Sequence, residues 1–146
     1  MAMFDDENPI HVLDDEQSWD FLEAHEFGRL AFHLIGEVHI TPINYVSDSR
    51  ARLLFRTSEG NKLLAVTMND DVAFEVDEFS DTNATSVVLR GRARALERSE
   101  ADAVESLPLR PWVHTDKMVV VEIIPTEMSG RSFDLERPWL HARPSD

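Results

Sequence analysis

Residues 53–63 read Leu53-Leu54-Phe55-Arg56-Thr57-Ser58-Glu59-Gly60-Asn61-Lys62-Leu63, an apolar strand that turns through a polar, glycine-bearing corner into a helix start. Two cations, Arg56 and Lys62, flank the corner. The whole chain has only two lysines, Lys62 and Lys117, against a formal net charge of -14, so a lysine beside a helix start stands out. Unpaired amides and the helix dipole draw anions to such a start. Arg56, Thr57, Ser58 and Lys62 are therefore candidate phosphate ligands, with Gly60 permitting close backbone approach. Three or four charge-assisted hydrogen bonds of roughly 1.5 to 3 kcal/mol each would hold a dianion against the acidic background. The plainer alternative is an ordinary capped helix with a surface lysine.

The corner sits within a run of strands. Upstream, residues 29–35, 38–47 and 51–57 alternate or cluster apolar residues and are separated by Gly36-Glu37 and Asp48-Ser49 turns, which predicts a three-stranded meander. Downstream, a helix is expected over 59–68 with Ser58 as its cap. In the next strand Val72, Phe74 and Val76 alternate with Ala73, Glu75 and Asp77. The long segment 86–96 sets Val87, Leu89, Ala93 and Ala95 against Arg90, Arg92 and Arg94, and Gly91 within it marks a bulge or a tight bend. The apolar run in 117–124 is expected to be buried on both faces. A first helix capped by Asp14 or Asp15 and ended by Gly28, and a brief helix over 100–107 capped by Ser99, complete the pattern. Six strands joined by turns too short for crossover helices predict a mainly β protein: an antiparallel barrel with helices plugging its openings. The tail from residue 134 on is expected to be a loosely packed arm.

A chain of 146 residues is the length of one domain, taken here as 1–146 with a core over about 14–133. The absence of cysteine excludes disulfides, thiolate metal sites and cysteine nucleophiles. Twenty-eight acidic against 14 basic residues oppose general nucleic-acid binding, which depends on cations meeting backbone phosphates. The charge favours solubility, with adaptation to high salt as the alternative reading. Asp5, Asp6 and Glu7 stand where a secretory leader would need basic residues, and no apolar run approaches the roughly 20 residues of a membrane span. The expectation is a soluble, cytoplasmic protein. Its six histidines show no HxH or HExxH spacing, so no metal site is expected, and no nucleophile elbow or P-loop is present.

Pro42 in the stretch Ile40-Thr41-Pro42-Ile43-Asn44-Tyr45-Val46 cannot donate to a sheet ladder, which assigns that strand to an edge or a bulge. Backbone groups and the Asn44 amide there could face a flat heteroaromatic ring. A structural edge proline is the alternative. Trp112, in a proline-stiffened loop, either closes over a ligand or fills a gap at the barrel end. Arg90, Arg92 and Arg94 are expected to pair with carboxylates.

Taken in order, Gly28-Arg29-Leu30-Ala31-Phe32, Pro42-Ile43-Asn44-Tyr45, Phe55-Arg56-Thr57 with Gly60-Asn61-Lys62-Leu63, Val72-Ala73-Phe74-Glu75-Val76-Asp77 and Val87-Val88-Leu89-Arg90-Gly91-Arg92-Ala93 resemble the pyridoxamine 5'-phosphate oxidase-like split-barrel proteins, the nitroimidazole-resistance-type flavin reductases included. The resemblance implies a six-stranded FMN-binding split barrel that forms a homodimer with flavin at the subunit interface. It implies FMN phosphate contacts from Arg56, Thr57 and Lys62. Pro42, Ile43 and Asn44 would line the isoalloxazine ring, with Phe55 close by and Val87 as a further contact. The segment departs from the family at Ser86, where members often carry Trp.

The function so implied is an FMN-dependent oxidoreductase acting on a small molecule, with hydride exchanged at flavin N5 and no side-chain acid or base required. One alternative is a reductase of the same fold using F420, whose acidic tail would meet Arg50 and Arg52. The other is a non-catalytic flavin-binding, flavin-storage or redox-sensing protein. Neither substrate nor electron donor is readable from the residues.

Overall fold

The computed structural model describes residues 8–58, 60–109 and 119–136. Eight strands and three helices follow one another as β1 (Ile10–Leu13), α1 (Asp15–Ala24), β2 (Phe27–Leu34), β3 (Glu37–Asn44), β4 (Val46–Asp48), β5 (Arg52–Thr57), α2 (Asn61–Met68), β6 (Asp71–Phe79), β7 (Asn83–Ala95), α3 (Arg98–Ala103) and β8 (Val119–Asp134). They form one antiparallel sheet in the order β3-β2-β6-β7-β8-β5-β4, with β1 also paired to β8. The two ends of that order, β3 and β4, are consecutive in the chain and separated by Tyr45 alone. A sheet whose first and last strands are joined by one residue has to curl until they meet, and the result is a split barrel.

Tyr45 is the pin of that closure. Its amide donates to the Glu26 carbonyl at 2.9 Å, its hydroxyl to the Leu22 carbonyl at 2.6 Å, and its ring meets Phe74 edge-on at 4.9 Å. Burial pushes the phenol's pKa up, which keeps it a hydrogen-bond donor.

The pleat then sorts the residues. Leu30, Phe32 and Leu34 of β2, Leu53 and Phe55 of β5, Val72, Phe74 and Val76 of β6, Val87 and Leu89 of β7, and Val121 and Ile123 of β8 fill the interior, and Ala65 and Val66 of α2 close one opening. Gly28 lets β2 and β6 approach: a Cβ there would lie 2.6 Å from both the Glu75 carbonyl and the Phe74 ring. A second cluster of Leu54, Leu96, Val104, Leu109 and Val120 lies on the outer side of β5 and β8, beneath α3 and the turn after it. Val120, Val121, Glu122 and Ile123 are thus all buried, as expected of this segment, whereas Ile124, expected to be buried with them, is 46% exposed. The register slips between Arg90 and Gly91, the bulge expected at that glycine. Asp14 caps α1 in a reciprocal box with Gln17.

Several boundaries differ from expectation. Among the described residues the sheet has eight strands rather than six. The meander's second strand breaks at Tyr45 into β3 and β4, because Tyr45 spends its amide on Glu26 rather than on the ladder. Strand β1 was not anticipated, and β8 runs to Asp134 because its far half is paired by both β1 and β7. Helix α1 ends at Ala24, with Gly28 inside β2. Helix α2 begins at Asn61 with Gly60, not Ser58, as its cap residue. Helix α3 is capped by Glu97 rather than Ser99, since Glu97 and Glu100 form a reciprocal box. Trp112 lies outside the described residues, as does Lys117.

Candidate functional site

Strand β5 alternates its side chains between two environments. Leu53, Phe55 and Thr57 turn toward the interior, while Arg52, Leu54 and Arg56 share the outer face. Phe55 is fully buried, so it fixes the strand and presents no surface of its own; the same holds for Val87. Thr57 is buried at 5% exposure, and its hydroxyl donates to the Ser58 carbonyl at 3.1 Å, holding the chain at the point where it leaves the sheet. Ser58 itself is exposed.

The corner then opens onto α2. Gly60 has φ 159° and ψ −159°, backbone that side chain-bearing residues avoid, and no other described residue lies within 4 Å of where its Cβ would be. Among the described residues no side chain caps this helix. Among those residues the first-turn amides of α2 accordingly have no side-chain acceptor at the cap, and Lys62, half-buried in that turn, makes no ion pair. Arg56 is only 15% exposed. One of its terminal nitrogens donates to Glu105 at 3.2 Å, and its buried Nε has no partner among the described residues. An unpartnered buried guanidinium N–H is costly unless an acceptor comes to it. Arg56, Lys62 and an uncapped helix start fit an anionic group with several oxygens, so the donor set suits a phosphate.

The other predicted group is on β3. This strand ends the sheet order, so Pro42 occupies an edge, as its missing N–H requires. Pro42 is exposed, Asn44 is half-buried, and Ile43 is buried in the barrel core opposite Gly28. Helix α2 packs against β2, and β3 is the next strand of the sheet. Arg56, Thr57, Ser58 and Lys62 flank the β5–α2 turn in the chain, Arg56 on the outer face of β5 and Thr57 on the inner, while Pro42 and Asn44 lie on the end strand β3.

Most of the other described arginines pair with carboxylates. Arg50 donates to Asp20 at 2.5 Å and Glu23 at 2.6 Å; Arg52 donates to Asp48 at 2.9 Å and Glu122 at 2.7 Å. Arg92 pairs with Asp70 and Arg94 with Glu100 and Glu122, the carboxylate pairing expected of that strand face. Arg90 is 3.9 Å from Glu127. Arg29 bridges Glu75 and Asp77, at 2.9 and 2.7 Å. Desolvation, reinforced by Asp77, raises the Glu75 pKa despite that arginine. The contact between Glu105 and Arg56 had no sequence signal, since the two residues are 49 positions apart.

A family model described as pyridoxamine 5'-phosphate oxidase matches residues 14–132. Among solved structures, a Corynebacterium glutamicum protein described as a candidate pyridoxamine 5'-phosphate oxidase superposes with a TM-score of 0.80 at 36% identity, covering 90% of this chain and 98% of that one. The FAD binding protein from Mycobacterium smegmatis gives 0.74 at 33% identity, over 86% of this chain and 100% of that one. A Mycobacterium tuberculosis protein of unassigned function is 38% identical over 82 residues, 56% of this chain and 74% of that relative. Among the described residues no helix is long and apolar enough to cross a membrane.

Proposed function

The chain belongs to the pyridoxamine 5'-phosphate oxidase family, and from that premise we propose that it binds FMN at the β5–α2 corner and serves as an FMN-dependent oxidoreductase for a small molecule. The observation that carries the reading is the half-used guanidinium of Arg56, whose buried Nε has no partner among the described residues, on the strand that leads into a helix start without a side-chain cap among those residues. Arg56 would donate two hydrogen bonds to the phosphate, Lys62 a third, and the α2 amides would complete the shell. Thr57 and Ser58 shape the bend, and the Ser58 hydroxyl lies on its exposed side.

When bound, FMN supplies hydride exchange at its N5. The chain's task is to hold and orient it. Pro42 and Asn44 on the β3 edge offer an apolar surface and an amide for the ring. The reading assigns β3 and the corner to one site built across a homodimer. The outward face of β3 supports this, because Val38 and Ile40 are 74% and 69% exposed there.

The relative named for FAD favours a second reading, in which the same corner takes one phosphate of FAD. A second phosphate needs further donors, and the described arginines closest in sequence, Arg50 and Arg52, already serve two carboxylates each. The same pairing weighs against their meeting an F420 tail. The absorption spectrum of the purified protein and the mass of its released chromophore test the proposal. FMN is the expected outcome; bound FAD or F420 would replace it, and a protein that takes up no flavin would refute it. Bleaching of the bound flavin by NADH or NADPH separates an enzyme from a storage or sensing protein.

A further inference from the structure

We propose that Glu105 is a built-in competitor for the cofactor's phosphate, a carboxylate that engages Arg56 when the corner is empty and sets how tightly a phosphate monoester is held. The inference rests on the reading of the corner as the FMN phosphate site. Glu105 lies in the turn after α3. Val104 and Leu109 on either side of it are buried in the outer cluster with Leu54 and Val120, so the turn is anchored directly over the β5 face that carries Arg56. The Glu105 side chain itself is 63% exposed, and its contact is a single 3.2 Å bond to one terminal nitrogen.

Arginine recognises a carboxylate or phosphate best through two parallel N–H bonds. Glu105 takes one and leaves Nε unpartnered among the described residues. A phosphate brings greater charge and a third oxygen, so it can meet both donors and Lys62 together. Binding it must first release Glu105 from Arg56 or add a like charge beside it. Either way the carboxylate lowers affinity.

The test is a titration of the full chain with FMN and, separately, with riboflavin, which lacks the phosphate, followed by flavin fluorescence. Glu105→Gln is expected to tighten FMN binding about two- to fivefold, the range set by a solvent-exposed ion pair, and to leave riboflavin affinity unchanged. The gain should vanish when Arg56→Ala is combined with it. Thermal melts confirm that each variant is folded, and Glu105→Ala serves as a second replacement at this exposed position. FMN bound equally or more weakly by both Glu105 variants, with the wild-type preference for FMN over riboflavin intact, would overturn the competitor role and leave the phosphate site standing. No preference for FMN over riboflavin in the wild type would overturn both.

Discussion

Arg52 donates to Glu122 at 2.7 Å across the β5–β8 pair, and this carboxylate is 4% exposed on a sheet face otherwise covered by Leu54, Val120 and Leu96. Arg94 takes its other oxygen at 3.0 Å. A buried carboxylate is tolerated because both oxygens are engaged by guanidinium donors. Glu122→Ala is expected to destabilise the protein by about 3 kcal/mol, the low end for breaking a buried ion pair, since Arg52 keeps Asp48 and Arg94 keeps Glu100. Chemical denaturation measures the loss. A change below about 0.5 kcal/mol, as at an ordinary surface site, would contradict the role given to this network.

Arg94, aided by the Glu97 amide, lowers the Glu100 carboxyl pKa to about 2. The unfolded chain binds its proton near about 4.3. A folded pKa below the unfolded one stabilises above the unfolded value, and that contribution is lost as pH falls from about 4.3 toward 2. The stability of the wild type should therefore decline more steeply with acid in that window than that of Glu100→Gln. Identical slopes in denaturation series at stepped pH would show that the pairing is not formed in solution.

Val38 and Ile40 stand opposite His33 and Ala31 on an outward sheet face. If two copies meet there, Ile40→Asp should convert a dimer to a monomer in sedimentation equilibrium and weaken flavin binding at least tenfold, while thermal melts show the barrel intact. A variant that remains dimeric would place the subunit contact elsewhere.

Local chemistry made much of this fold readable. The strict alternation in Val72-Ala73-Phe74-Glu75-Val76, the cap at Asp14 and the bulge at Gly91 are each set by residues close in sequence. What escaped depends on distant partners. Strand β1 is four residues long and exists by pairing with 130–133, and the far half of β8, interrupted by Pro125 and Gly130, is a strand because β7 and β1 flank it. The break at Tyr45 arises from its bond to Glu26, which no hydropathy pattern encodes. The polar corner was legible because glycine, cations and a helix start are adjacent in the chain. The Glu105 contact with Arg56 was not, since it forms only once α3 has docked on β5.

The central claim is that the turn between β5 and α2 holds the terminal phosphate of FMN, and the comparison of FMN with riboflavin tests it most directly. Two or more charge-assisted bonds of about 1.5 to 3 kcal/mol each predict that the wild type binds FMN at least about 100-fold more tightly than riboflavin. Arg56→Ala with Lys62→Ala should remove that preference while leaving the thermal melt of the barrel in place. Equal affinity of the wild type for the two compounds, or a preference for FMN undiminished in the double variant, would contradict the account.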